Sequence, residues 1–490
     1  MKRQLSFILA MLILALAGCQ SSTSGNQTDT TPPSQDTTAP GADEELLSGV
    51  PAGTDLKGET INIWYSSTNG STASYTVLDG DVEGDKLDST VYATVSSVEE
   101  DLNVTLNFVD TGTAPGQTGA EMQKLIMADD TSYDLFNFVQ FAGAHFIADG
   151  LFYNAKDSEY LSLDQPWWDT AYMEEMTVGD DKIYLLVGDA ALDRTRFSSC
   201  LFFNTDMLTD MGTSPDDIYN QVLDGKWTLD ALNKLSAAAW RDLNNSGRVD
   251  EGDVFGYLSN VTNHIDALTF SENFRMTTRT GNDIPELSMM NEKNSDIADR
   301  IYRFFYESEG KLAISETSTY FTATFANGNS LFLAGNFYNA DALRDMKQSY
   351  GFLPMPKADV AQENYITVIH NSMRDYALPA NCQKPDAVTA ALEELAFRSY
   401  QDVRPVYVES TLKIKYTRDD KSAQMIDIIL DNTYCDFAYI YSNYTGQLPE
   451  IPRKMIEQQN NAFASMVEAK RSAAEMAIGE LVDSFLSSAN

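Results

Sequence analysis

An α/β fold built as two lobes is predicted by three observations: the length of the chain, a strand–helix–strand rhythm after residue 58, and the mixture of short strands and long helices beyond it. The sequence has 490 residues and 43% hydrophobic content, whereas single hydrophobic cores stop growing at about 250–300 residues. Glu59-Thr60-Ile61-Asn62-Ile63-Trp64-Tyr65 alternates as a strand and runs into the polar loop Ser66-Ser67-Thr68-Asn69-Gly70. A helical stretch over Thr90–Leu102 leads to a strand at Val104–Phe108, and a second over Ala120–Ala128 leads to Tyr133–Phe138. This order implies parallel strands joined by right-handed crossovers. In open sheets of that kind a cleft lies beyond the carboxyl ends of the strands, which places Tyr65–Asn69 and Asn137–Phe141 along one cleft. Helical patterns recur at 228–241, 293–308, 385–400, 421–431 and 452–486. No repeat of fixed period is present, which argues against a solenoid or propeller.

The first 18 residues read as a secretory signal, with Lys2 and Arg3, an apolar run from Leu5 to Ala17, and small residues before Cys19. Leu16-Ala17-Gly18-Cys19 resembles the lipobox of bacterial lipoproteins, which implies that Cys19 is acylated, becomes the mature N-terminus and anchors the chain to the outer side of the cell membrane. From Gln20 to about Gly53 the chain is rich in Ser, Thr, Gly, Pro and Asp and too poor in apolar residues to offset ordering entropy. About 30 such residues span on the order of 30 Å, so residues 19–56 are expected to act as a flexible leash.

With 34 Lys+Arg against 72 Asp+Glu, the formal charge of −38 repels phosphate backbones and anionic headgroups and excludes nucleic-acid binding. Beyond Cys19 the cysteines are Cys200, Cys382 and Cys435, an odd number without metal spacing, expected as small buried hydrophobes. HExxH, GxxxxGK[ST] and GxSxG are all missing, and His145, His264 and His370 have no metal-like spacing. Ser410-Thr411-Leu412-Lys413 fits SxxK, but without SDN or KTG it reads as a helix-end surface. The chain is therefore not expected to be an enzyme. Two alternatives stay open: a glycosidase using a carboxylate pair among the 72 acids, and an adhesion module lacking a closing cleft.

The sharpest local motif is Asp242 to Asp253, with oxygen side chains at loop positions 1, 3, 5, 9 and 12, namely Asp242, Asn244, Ser246, Asp250 and Asp253. This is EF-hand-like spacing for Ca²⁺, with Gly247 at the sharp turn and the Arg248 carbonyl as a further ligand. Asp at the last position, in place of Glu, shortens the reach for bidentate ligation. Val254-Phe255-Gly256-Tyr257 reads as a strand, so the expectation is a structural ion and not a paired sensor hand.

Several segments together resemble extracellular solute-binding proteins of ABC importers, in the carbohydrate-binding group related to maltose-binding protein. INIWYSS is similar to that family's opening strand, and YDLFNFVQFAGAHFIADGLF to its third strand and the following helix, with Gly150 at the helix end. LFFNTDMLTDMG, GKWTLDALNKL, FANGNSLFLAGNF and YGFLPMPK resemble later segments in the same order. The resemblance implies a two-lobed periplasmic-binding-protein-like fold of class II type, with hinge crossover strands near Arg196–Cys200, Thr367–Asn371 and 405–418. One lobe would hold 57–197 and 370–415, the other 198–369 and 416–490. It further implies a monomer that passes its solute to a membrane permease.

The solute implied is a sugar or oligosaccharide, with peptides and other polar solutes as alternatives. Sugar rings present apolar C–H faces to aromatic side chains while their hydroxyls need polar partners. By the resemblance, Trp64, Tyr65, Ser67 and Asn69 lie at the cleft lip, Phe138 and Phe337 stack on the solute, and Gln140, Phe141 and Tyr338 are their neighbours. Arg196 and Asn371 would donate from the crossover strands. Trp167 and Trp168 are a further candidate wall, with packing inside the lobe the favoured reading; Trp227 and Trp240 read as helix core.

Overall fold

The computed structural model describes residues 46–66, 82–281, 283–314, 318–415 and 420–487. Cys19, Ser67 and Asn69 lie outside the described residues. From Ser48 onward the chain forms one unit, organised around two sheets.

The first sheet contains β1 (Glu59–Tyr65), β2 (Val104–Asp110), β3 (Leu135–Val139) and β12 (Arg374–Ala377), in the order β12-β3-β1-β2. β1 pairs in parallel with both β2 and β3, and β12 returns antiparallel at the edge, with Asp375 opposite Phe138. The alternation read in β1 is real at its start, where Ile61 and Ile63 point into the core and Glu59 and Thr60 do not. The connecting helix Lys86–Leu102 buries Leu87, Val91, Val95, Val98 and Leu102, one face at helical spacing. An Asp85/Asp88 capping box starts it and Asn103, at φ 49°, ends it in the left-handed region. Gly119 opens the next helix, Thr118–Met127, and a Cβ there would meet the Ala142 carbonyl at 2.0 Å, so only glycine permits that approach. Gly150 caps the turn after β3 at φ 66°, where the sequence places the helix end.

The second sheet contains β4 (Ser199–Asn204), β5 (Phe255–Asn260), β8 (Lys311–Ile314), β9 (Ser330–Asn336) and β10 (Tyr350–Leu353), in the order β10-β4-β9-β5-β8. Two short pairs complete the strand set: β6 (Thr277–Thr280) with β7 (Ile284–Leu287), and β11 (Thr367–Val368) with β13 (Thr433–Tyr434). Trp227 is fully buried under this sheet and donates its indole N–H to the Pro354 carbonyl at 3.1 Å. Trp240 is only half-buried, at the end of the helix Leu229–Ala239. The chain passes between the sheets before Ser199, again before Arg374, and a third time through residues 403–415.

Two expectations change. The single helix read over 452–486 is two, Glu450–Glu457 and Phe463–Leu486, because the run Gln458-Gln459-Asn460-Asn461 turns the chain, with Gln459 at φ 52°. Ser410–Lys413, read as a helix-end surface, lie inside a wide π-type helical segment, Val406–Lys415, which also replaces the crossover strand expected near 405–418 and in which Lys413 is paired with Glu409 and Asp427. The favoured reading of Trp167 and Trp168 agrees with the structure: they pack inside the first-sheet body, where both indoles donate to Glu393 at 3.1 and 2.8 Å. Cys200, Cys382 and Cys435 are free, with Cys200 and Cys435 buried. Among the described residues no helix is long and apolar enough to cross a membrane.

Candidate functional site

The first two passages between the sheets lie side by side. Ser198 bridges Ile369 in antiparallel fashion, the His370 amide donates to the Phe197 carbonyl at 3.0 Å, and the Phe197 and His370 rings stack with centroids 6.2 Å apart. The start of β4 is thereby tied to the end of β9, since the Phe337 amide donates to Ser198 and the Asn336 side chain to Phe197. The Asn263 amide, just past β5, donates in turn to Asn336 Oδ1 at 2.9 Å.

Above these passages is a cleft of about 350 Å³. Its walls come from both bodies: Phe141 follows β3 of the first sheet, Asn263 follows β5 of the second, and Ser442 and Arg453 belong to the C-terminal segment. Asn371 joins them, because its carbonyl accepts the Phe141 amide at 3.1 Å while its side-chain amide donates to the Tyr439 carbonyl at 3.0 Å and to Ser442 Oγ at 3.2 Å. A polar lining held in place by its own hydrogen bonds presents fixed donors and acceptors to a hydroxyl-rich solute.

Two buried features set the electrostatics. Asp266 grips Arg453, with Nε 2.8 Å from Oδ1 and Nη2 on Oδ2, and also accepts the Tyr439 hydroxyl at 3.2 Å. Burial works against the Arg453 charge, but the Asp266 carboxylate more than offsets it and the guanidinium stays protonated. The His370 imidazole is pushed down to about 3 by burial and then by Arg453, so it lines the cleft as a neutral ring.

The residues expected to touch solute separate into two groups. Phe141 and Asn371 line the cleft. Trp64, Tyr65, Phe138, Gln140, Arg196 and Phe337 are buried. Trp64 packs on Phe136 at 5.8 Å, Phe138 stacks on Phe152 at 5.7 Å, and Phe337 packs on Phe352 at 5.3 Å. Exposing such a ring costs about 1.5–3 kcal/mol, more than the ~0.5–1.5 kcal/mol that an aromatic contact adds, so these rings stay in the core. Gln140 is consumed by Asp375 and Tyr172, and Arg196 pairs with Asp341 at 3.0 Å. Tyr338 is half-buried against Phe197, with its hydroxyl pushed up to about 12 by burial.

His370, Asn263, Ser442 and Arg453 escaped the sequence reading. Arg453 lies 187 positions from its partner Asp266, a separation with no local signature. Asn260 and Asn263 did carry one, as amides following the apolar end of β5.

In the Asp242–Asp253 loop, Gly247 takes φ 73°, as a sharp turn requires. Asp242 accepts the amides of Ser246 and Gly247, Asn244 Oδ1 accepts the Ser246 amide, and the Asn244 side chain donates to Asp250. The side chains at positions 1, 3, 5 and 9 thus gather around the loop. Asp253 does not join them: it accepts the Trp240 indole and the amides of Leu243 and Asp250. Among the described residues, no group of three or more His, Cys, Asp or Glu is placed to hold a metal ion.

No protein-family model and no curated relative matches the sequence. Solved structures do. An ABC substrate-binding protein from Listeria monocytogenes in complex with cycloalternan is similar at 13% identity and TM-score 0.55, over 86% of this chain and 99% of its own. An ABC transporter solute-binding protein from Thermotoga lettingae bound with α-D-tagatose is similar at 15% identity and TM-score 0.54, over 86% and 100%. UgpB from Mycobacterium tuberculosis in complex with glycerophosphocholine is similar at 12% identity and TM-score 0.58, over 86% and 99%. With nearly the full length of each neighbour matched, the chain has the two-lobed, periplasmic-binding-protein-like α/β fold of ABC solute-binding proteins.

Proposed function

We propose that the protein is an extracytoplasmic solute-binding lipoprotein of an ABC importer, which captures a sugar or oligosaccharide between its lobes and hands it to a membrane permease. The observation that carries this reading is the polar cleft bounded by Phe141, Asn263, Asn371, Ser442 and Arg453, residues drawn from both bodies and from the passage between them. The neighbours named above support it, since each is named as a binding protein or was solved with a small polar ligand. We take residues 57–197 with 370–415 as one lobe and 198–369 with 416–490 as the other, acting as a monomer. Acylated Cys19 would anchor the chain, with residues 19–56 as the leash.

Within this reading the Asp242–Asp253 loop holds a structural Ca²⁺ through Asp242, Asn244, Ser246, the Arg248 carbonyl and Asp250. Asp253 enters only if it releases Trp240 and Leu243.

Capture is tested by a thermal-shift screen with cycloalternan, α-D-tagatose, maltose, glycerophosphocholine, amino acids and short peptides. A ligand that binds only the folded state raises the midpoint by mass action. The expected result is a rise with one of the sugars, with the sugar recovered unchanged. A flat response to every compound overturns capture, and turnover of a glycoside replaces it with a hydrolase. Anchoring is tested by replacing Cys19: Cys19→Ala should move the protein from the membrane fraction to the medium.

A further inference from the structure

Outside the three passages, an arginine makes the densest set of polar contacts between the two bodies, beside ring contacts of Tyr184 with Phe485 and of His145 with Tyr444. Arg279 lies on β6, in the short β6–β7 hairpin that stands apart from the second sheet. This hairpin is fixed to the C-terminal part of the chain: Asp436 accepts the amides of Met276 and Thr277 and the Thr277 hydroxyl, and the Arg275 guanidinium lies 3.8 Å over the Tyr434 ring. From there Arg279 reaches the other body. Its Nη2 is 3.0 Å from the Glu174 carbonyl, 2.9 Å from that of Glu175 and 2.9 Å from that of Thr177, while Nε lies 3.3 Å from the Glu175 carboxylate. Nη1 is held by the carbonyl and carboxylate of Asp283, at 3.0 and 2.9 Å, which orients the fork.

The carbonyls that it grips end the helix Thr170–Glu175. Carbonyls at such an end lack intrahelical partners and carry partial negative charge, so a guanidinium there satisfies several at once. Residues 150–190 belong with the first sheet, since Phe152 bridges Pro379, Leu186 bridges Tyr376, and Trp168 bridges Gly188. The Tyr441 hydroxyl adds a second bond across the same seam, to the Met176 carbonyl at 2.6 Å.

We infer that Arg279 is an interlobe latch, which clasps the C-terminal end of the helix Thr170–Glu175 and holds the two lobes together on the side of the cleft away from the passages. The inference rests on the reading of the cleft as a hinged solute site and concerns how that site is gated. A contact made only in the closed arrangement raises the closed fraction before any solute arrives, and apparent affinity scales with that fraction. Lysine, a single point charge, cannot serve three carbonyls and a carboxylate together.

The test needs no solute. Small-angle scattering is recorded on the ligand-free full chain and on its Arg279→Ala and Arg279→Lys variants, with circular dichroism as the check of folding. The expected result is a larger radius of gyration for Arg279→Ala and an intermediate one for Arg279→Lys. Scattering from Arg279→Ala that superimposes on the parent overturns the latch. Should Arg279→Ala fail to fold, Arg279→Lys, which keeps the charge but loses the fork, decides the matter: expansion supports the latch and an unchanged curve overturns it. If the alanine variant does not expand while a panel sugar still raises the parent's melting midpoint, the latch fails and capture stands. Expansion with no response to any panel compound leaves the latch in place and removes capture.

Discussion

The Trp168 indole donates to one oxygen of the Glu393 carboxylate at 2.8 Å and the Trp167 indole to the other at 3.1 Å, so two adjacent tryptophans converge on one buried acid. The amides of Gly49 and Ser162 complete the set at 3.0 and 3.2 Å. Burial raises the Glu393 carboxyl above the usual carboxylate range, and the four donors oppose that rise. Glu393→Ala strands the two buried indoles along with the half-buried Gly49 and Ser162 amides, and each buried unsatisfied donor costs about 1–3 kcal/mol. A loss of at least ~2 kcal/mol is expected in urea unfolding, together with a change in tryptophan emission; an unchanged midpoint contradicts this account.

The Asp266–Arg453 pair predicts strong non-additivity. Arg453→Met removes the cation and leaves a buried carboxylate with only the Tyr439 hydroxyl, a loss of about 3–5 kcal/mol. Adding Asp266→Leu removes the stranded charge and should restore part of that loss. A double-mutant cycle in chemical denaturation measures the coupling, and simple additivity would show that the two side chains act independently.

Acid stability should depend on His264. Its ring is buried, its Nδ1 accepts the Asn260 amide at 3.1 Å, and burial depresses it to about 3. As pH falls below about 6.5 the unfolded chain takes up a proton that the folded chain refuses until about 3. Stability is therefore lost across that window by up to ~1.4 kcal/mol per pH unit for this one group. His264→Gln should flatten the slope of unfolding free energy against pH by about one proton relative to the parent. Equal slopes would mean that the ring is protonated in the folded state.

Calcium should act through Asp242. Adding Ca²⁺ to chelator-treated protein is expected to raise the melting midpoint, and Asp242→Ala, which also releases the Ser246 and Gly247 amides, should abolish the response. A response that survives in the variant places the ion elsewhere.

Much of the fold was legible because it is written in local periodicity. β1 and the helix Lys86–Leu102 announce themselves through alternation and a helical stripe, while Gly150 was placed at a helix end by the resemblance. The cleft was legible only in part. Phe141 was found because it follows a strand end, and Asn371 through the resemblance that puts a crossover there, whereas Phe138 and Phe337 look the same in sequence whether a ring meets solute or a neighbouring ring. Their burial is decided by Phe152 and Phe352, positions that no spacing rule connects to them. The break at Gln459 was hidden for a different reason: amide side chains stop a helix through local turn chemistry, and the apolar stripe continues on both sides of it.

Phe197 and His370 are stapled to each other through backbone and ring contacts where their strands pass side by side. Sliding one strand along the other would tear the Ser198–Ile369 bridge as well as the His370–Phe197 bond, whereas a joint torsion keeps both. Any movement between the halves would then be rotation about a common axle, and a substitution on either strand should alter the stiffness felt by both.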